Sequence, residues 1–293
     1  MSASPRHFLE VDDLSPEELQ AVLALAQERD RPQILSGRGV ALLFEKPSLR
    51  TRNSSEMAVY ELGGHPVTIK NDEIALDKRE PAADVARVLA GYYAAICARV
   101  FDHRVLENMA DVSDVPIVNL LSDQSHPCQA LADLLTLLER WGRLEGHSIA
   151  YVGDGNNVCR SLMLAGSMVG MEVRVATPSG FEPEADVVGR SEALVTNDPA
   201  EAVDGADAVY TDVWASMGQE DEAEERRKRF EGFTVDERLL AKASPDAVFL
   251  HCLPAHRGEE VSAGVVDGPH SVVWRQAHNR LHSMRGLLMW LFA

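Results

Sequence analysis

Short apolar runs alternate with segments of helical period along this chain, and the alternation starts twice. The first series has strands at Gly39–Phe44, Pro66–Lys70, Ala94–Val100 and Ile117–Leu121. Helices are expected between them, over Arg50–Leu62, Ala83–Tyr92 and Arg104–Ala110. A long amphipathic helix, Pro127–Trp141, closes the series, and Gly142-Arg-Leu-Glu-Gly146 follows as the expected domain boundary. The second series then opens, with strands at Ser148–Val152, Glu172–Ala176, Ala208–Thr211 and Ala247–Leu250 and a helix at Asn157–Val169. The terminal segment Gln276–Phe292 is expected to be helical. Strands separated by helices must run parallel, because the helix carries the chain back across the sheet. The pattern therefore predicts an α/β protein of two doubly wound parallel-sheet domains. A chain of 293 residues is long enough for two domains of ordinary size.

Local signals agree with this layout. Ser15, Pro16 and Glu18 form a capping box before the helical spacing of Leu19, Val22, Leu23 and Ala26. Gly63-Gly64 stops the next helix. Residues Asn71–Pro81 read as a polar loop, and Asp221–Arg229 (DEAEERRKR) as a solvated helix face with i,i+4 pairs. Ligands of such sheets bind at the C-terminal strand ends. That directs attention to the loops after Phe44, Val100, Leu121, Val152, Thr211 and Leu250.

Charge narrows the partners. A net charge of −18 repels nucleic acid and anionic membranes. Against that background Lys46, Arg50 and Arg52 fall within seven residues. Four cysteines (Cys97, Cys128, Cys159, Cys252) without CxxC pairing fit a reducing compartment. Residues 1–10 lack the apolar stretch of a signal peptide, and Leu287–Ala293 is too short to span a bilayer.

Five clusters and one terminal arginine could carry chemistry. In Phe44-Glu-Lys-Pro-Ser-Leu-Arg-Thr-Arg52 a strand turns into a helix start, where unpaired N–H groups and the dipole favour an anion. Ser48 and Thr51 add hydroxyls and Arg50 a planar fork suited to phosphate; the bland alternative is a capped helix with surface arginines. His126 and Gln129 lie three apart at a helix start and could polarise one carbonyl oxygen. Gly153-Asp-Gly-Asn-Asn157 is an incomplete dinucleotide fingerprint, with Val158 at the third glycine position, and fits a tight turn presenting an asparagine amide. Asp212-Val-Trp-Ala-Ser-Met-Gly218 could hold an ammonium group and a polar substrate. His251-Cys-Leu-Pro-Ala-His256 lacks a second ligand pair, so no metal is expected, while a Cys252–His256 nucleophile pair stays open. Arg280, in Asn279-Arg-Leu-His282, either turns inward or snorkels.

The order and spacing of SLRTR, HPCQ, GDGNN, DVWASMGQE, HCLPAHRGEE and NRLH resemble the aspartate/ornithine carbamoyltransferase family over nearly the whole chain. SMG followed by QE, and HCLP, resemble its ornithine branch. The resemblance implies a carbamoyl-phosphate-binding domain over residues 1–141, with the C-terminal helix 276–293 packing back on it, and an ornithine-binding domain over 142–275. Two interdomain helices link them. It also implies carbamoyl transfer from carbamoyl phosphate to the side-chain amine of L-ornithine, giving citrulline and phosphate in arginine metabolism, with the biosynthetic and the catabolic direction both open. No cofactor is implied; the enzyme would be cytoplasmic, a homotrimer or multiple of trimers, with active sites at subunit boundaries.

Carried over by position, Ser48, Leu49, Arg50, Thr51, Arg99, His126 and Gln129 would bind carbamoyl phosphate. Asn157, Asp212, Ser216, Met217, Cys252 and Leu253 would bind ornithine. Arg99, His126, Cys252 and Arg280 would be the catalytic residues. Leu49 stands where the family often has Thr, and Leu there also occurs in relatives using N-acylated ornithine. Arg160 stands where His is common, and Asp72–Glu80 departs from a glycine-rich pattern, with Lys78 a candidate for phosphate in the same or a neighbouring subunit. Rival readings are a transferase for putrescine, an N-acylornithine or aspartate, a Cys252/His256 hydrolase, and a catalytically silent metabolite-binding subunit.

Overall fold

The computed structural model describes residues 5–215 and 223–293. Its contacts divide the chain into one unit of Met1–Leu135 with His278–Ala293, and a second of Thr136–Ala277.

The first unit contains α1 (Pro16–Gln27), β1 (Gly39–Phe44), α2 (Leu49–Glu61), β2 (His65–Lys70), α3 (Asn71–Ile74), α4 (Ala82–Ala90), β3 (Ala95–Arg99), α5 (His103–Ala110) and β4 (Ile117–Leu121). Next comes α6 (Pro127–Trp141), inside which the division falls. The four strands are all parallel in the order β2-β1-β3-β4. The central strand β3 is buried throughout, as its unbroken apolar run requires. β2, at the edge, is only partly buried and tolerates Pro66 there. The other edge is covered by the N-terminal segment, where Phe8 exchanges backbone hydrogen bonds with Ile117 and Asn119 at 2.8 Å each. Ala41, Leu43, Ile96, Leu106, Met109 and Ile117 lie in the core.

The second unit contains β5 (Ser148–Val152), α7 (Asn157–Met168), β6 (Glu172–Ala176), α8 (Ala185–Ser191), β7 (Leu194–Thr196), α9 (Pro199–Val203), β8 (Ala208–Thr211), α10 (Ala223–Arg229), α11 (Glu237–Leu240), β9 (Val248–His251) and α12 (Ala263–Val266). The last helix, α13 (Val273–Leu291), starts here and runs into the first unit. The five strands are parallel in the order β7-β6-β5-β8-β9. Val152, Val209, Phe230, Phe249 and Val265 are among its core residues.

In both sheets the strand order reverses once, between β1 and β3 in one and between β5 and β8 in the other. The crevice at such a reversal is where an open α/β sheet can receive a ligand, since the two following loops diverge there. Phe44 pairs with Arg99 across the first reversal, and Val152 with Thr211 across the second. These are the ends from which the SLRTR turn, Arg99, the GDGNN turn and Asp212 continue.

Four readings need correction. Asn71–Pro81 is not a plain loop: Asn71–Ile74 forms a helical turn, and Leu76 is buried and bridges to Glu80. The strand β7 is an addition, its apolar run Leu194-Val195 being too short to announce it. The terminal helix begins at Val273 rather than Gln276. In the charge run, Lys228 and Glu224 do form an exposed i,i+4 pair at 3.5 Å. Arg226, however, turns inward onto Asp154 at 2.7 Å and donates to the Trp214 carbonyl. Asp221 and Glu222 lie outside the described residues.

Candidate active site

In the first unit the chain leaves β1 at Phe44 and re-enters helix at Leu49. Ser48 is the N-cap of α2, and its hydroxyl accepts from the Thr51 N–H at 3.3 Å. The first turn of α2 carries no acidic residue, whereas α1 starts with Glu17 and Glu18. No acid in its own first turn therefore offsets the α2 dipole, in a chain of net charge −18. The three basic residues of the cluster part company. Lys46 places its ammonium 4.1 Å from the Phe101 ring centre, and Arg52 bonds Glu56 at 2.8 Å. Arg50 stays half-buried and close enough to His126 to act on its charge state. Leu49 is 77% exposed and lines an open cleft of about 580 Å³ with Ser48, Arg52, Lys70 and Asp72. Lys78 is exposed on the segment after α3.

Arg280 settles the choice left open by the sequence: it turns inward and is 4% exposed. Its guanidinium donates to Gln129 Oε1 and, at 3.2 Å, to Thr51 Oγ1. It also lies 3.5 Å from His126 Nε2. Gln129 cannot flip its amide, because Nε2 donates to the fully buried Asp133 at 2.8 Å and a carboxylate only accepts. Asp133 therefore aims the Gln129 oxygen, and that oxygen helps aim Arg280. Arg99, from the end of β3, is likewise buried.

Burial holds the His126 imidazole neutral well below its ordinary pKa, and the positive charges of Arg280, Arg99 and Arg50 add to the effect. A proton taken up by the unfolded ring below pH 6.5 is refused by the folded one, so this group's contribution to stability is present above that pH and is lost as pH falls through it. In an NMR titration the His126 ring resonances should turn over below the pH at which a free histidine does. A midpoint near 6.5 would refute the burial of the ring among these cations.

In the second unit Gly155 is required by close approach. A Cβ there would lie 2.5 Å from the Pro183 nitrogen and 2.6 Å from the Phe181 oxygen, both backbone. Asn156, which the sequence reading passed over, is the N-cap of α7: its oxygen accepts from the N–H groups of Val158 and Cys159 at 3.0 and 3.1 Å. Its amide donates to Asp212 Oδ2 at 3.0 Å. The other Asp212 oxygen accepts from the Cys252 thiol at 2.8 Å. Two distant loops thus converge on one buried carboxylate. The signal for Asn156 was available, since an asparagine just before a helix start is a preferred cap. Asn157 is half-buried at the first position of α7. Arg160 is buried and pairs with Glu184 at 2.7 Å. Ser216 and Met217 lie outside the described residues.

The Cys252 environment argues against a thiol nucleophile. Its proton points at Asp212, and both nitrogens of His251 are committed, to the Leu253 N–H and to Glu260. The His256 side chain is 52% exposed, with Nδ1 3.8 Å from Glu260. Asp212, His251 and Cys252 approach within 4.8 Å of one another, but a metal there would have to displace the Leu253 N–H from His251 or the thiol proton from Asp212.

The chain matches two family models: aspartate/ornithine carbamoyltransferase, carbamoyl-P binding domain, over residues 6–139, and aspartate/ornithine carbamoyltransferase, Asp/Orn binding domain, over residues 145–291. It is 52% identical over 300 residues to an ornithine carbamoyltransferase of Acidothermus cellulolyticus, covering 98% of this chain and 96% of the relative. Among solved structures it resembles the ornithine carbamoyltransferase of Thermus thermophilus, with TM-score 0.92, 47% identity and coverage of 99% and 100%. It resembles that of Pyrococcus furiosus with TM-score 0.93, 47% identity and coverage of 98% and 97%.

Proposed function

The chain belongs to the aspartate/ornithine carbamoyltransferase family, and from that premise we propose that it transfers the carbamoyl group of carbamoyl phosphate to the side-chain amine of L-ornithine, giving citrulline and phosphate. The reaction is a step of arginine biosynthesis. The observation that carries the reading is the cluster in which Arg280 meets Thr51, Gln129 and His126. It joins the phosphate turn to donors suited to a carbonyl oxygen.

In this reading residues 1–141 and 276–293 bind carbamoyl phosphate, and 142–275 bind ornithine. The N-terminal turn of α2, with Ser48, Leu49 and Thr51, receives the phosphate through backbone N–H groups and hydroxyls, and Arg50 adds charge. Leu49 contributes only its N–H, its side chain being solvent-facing. Arg99 spans phosphate and carbonyl oxygen. His126 and Gln129 hold the carbamoyl group. Asp212 pairs with the ammonium end of ornithine, and Asn157, Ser216 and Met217 read the rest of its amino-acid group. Cys252 and Leu253 sit beside the reactive amine.

The acceptor amine has a pKa of about 10.4 in water, by analogy with Lys, and only its neutral form attacks. Attack on the carbonyl carbon produces an oxyanion. Arg280, Arg99 and the neutral His126 stabilise it, each well-placed donor contributing about 3–4 kcal/mol. The carbon–oxygen bond to phosphate then breaks. Phosphate leaves into the α2 turn and accepts the amine's proton, so no covalent enzyme intermediate is needed. Excluding water protects the labile donor from hydrolysis. The catalytic unit is a homotrimer or a multiple of trimers. The compartment is cytoplasmic, supported by four free cysteine thiols; among the described residues no helix is long and apolar enough to cross a membrane.

Acceptor choice tests the reading. Initial rates with carbamoyl phosphate should favour L-ornithine over putrescine, N-acetylornithine, N-succinylornithine and aspartate by at least about 10³ in kcat/KM, because putrescine and the N-acylornithines lack a free α-ammonium and leave polar groups of the site unpaired, while aspartate has no side-chain amine to attack. A preference for any other amine would keep the fold and the phosphate site but reassign the residues around Asp212.

A further inference from the structure

Leu253 has φ +61°, a left-handed conformation that branched side chains seldom adopt. Something around it must hold it there. The Leu253 N–H donates to His251 Nδ1 at 2.8 Å. Because a backbone N–H can only donate, Nδ1 must be the unprotonated nitrogen, and Nε2 of the neutral ring carries the hydrogen. Nε2 lies 3.1 Å from Glu260 Oε1, and both side chains are fully buried. The same carboxylate accepts the His256 N–H. Glu260 therefore fixes the tautomer of His251 and gathers both ends of the 251–256 segment. At the other side of His251, its own N–H donates to the buried Gln276 side chain at 2.9 Å.

We infer that His251 and Glu260 are positioning residues for ornithine: the pair locks Leu253 in its left-handed conformation and so sets the Cys252–Leu253 segment against the acceptor amine. The inference rests on the reading of that segment as part of the ornithine site. Both side chains are fully buried and bonded to one another, so the role assigned to them is indirect. Their effect runs through the Leu253 backbone, and water cannot replace either contact in a fully buried pair. The carbamoyl-phosphate residues belong to the other unit of the fold.

The test compares His251→Leu, His251→Asn and His251→Gln in the full-length enzyme, by steady-state kinetics with each substrate varied. Asparagine puts its side-chain oxygen near the place of Nδ1 and keeps the acceptor for Leu253. Glutamine reaches toward Glu260 instead and loses that acceptor. His251→Leu should raise the KM for ornithine about tenfold or more, with the KM for carbamoyl phosphate within about twofold of wild type. His251→Asn should recover most of the loss, and His251→Gln should not. Wild-type ornithine KM in His251→Leu would overturn the inference, as would equal behaviour of Asn and Gln. If His251→Leu does not fold, the Asn–Gln comparison decides alone. A wild-type enzyme that uses a different amine would instead remove the ornithine reading, and the same variants would then be measured with that amine.

Discussion

Arg280→Ala is expected to lower kcat by about 10²–10³-fold, the cost of one preorganised donor to an oxyanion. The physical reason is the density of its commitments. One guanidinium, 4% exposed, donates to Gln129 and Thr51 and faces His126. Its removal strands two buried acceptors and takes away a positive charge that adds to burial in keeping His126 neutral. Arg280→Lys should recover little, because a single ammonium cannot satisfy Gln129 and Thr51 in the planar fork geometry. The KM for ornithine should move much less than kcat, since ornithine is assigned to the other unit. A kcat within tenfold of wild type in Arg280→Ala would remove this residue from the chemistry.

The second large effect is expected at Asp212. Its two oxygens are held by the Asn156 amide and the Cys252 thiol, so the carboxylate is fixed before any ligand arrives. A fixed anion binds an ammonium better than a mobile one, because less ordering is left to do on binding. Asp212→Asn keeps the shape but removes the charge. The KM for ornithine should rise by about 10–100-fold, in line with the loss of a hydrogen bond to a charged group, while the KM for carbamoyl phosphate stays within about twofold. Unchanged ornithine KM would place the ammonium elsewhere.

Much of this site was legible in the sequence because its parts follow buried strands. β1, β4, β5 and β8 end where the sequence places them, and the loops just beyond those ends carry candidates. The Ser15 and Glu18 capping box also appears as read, with reciprocal bonds of 3.2 and 2.9 Å. What could not be read is partnership across sequence distance. Gln129 and Arg280 are 151 residues apart, and Asp212 and Cys252 40 apart. Spacing rules see only neighbours within a turn or a pleat. Asp133, Glu260 and Gln276 escaped for the same reason: each is a polar residue whose meaning depends on a buried partner. Arg226 was misjudged because its run of charges looked uniformly solvated, while only the fold reveals Asp154 beneath it. The short β7 was missed because three residues cannot establish a period.

The most direct test of the whole account is a product balance: purified protein, carbamoyl phosphate and L-ornithine, with citrulline and inorganic phosphate measured in the same samples. Equal amounts of both are expected, with phosphate release falling to background when ornithine is omitted. Phosphate without citrulline, or no turnover from folded protein that binds both substrates, would contradict it.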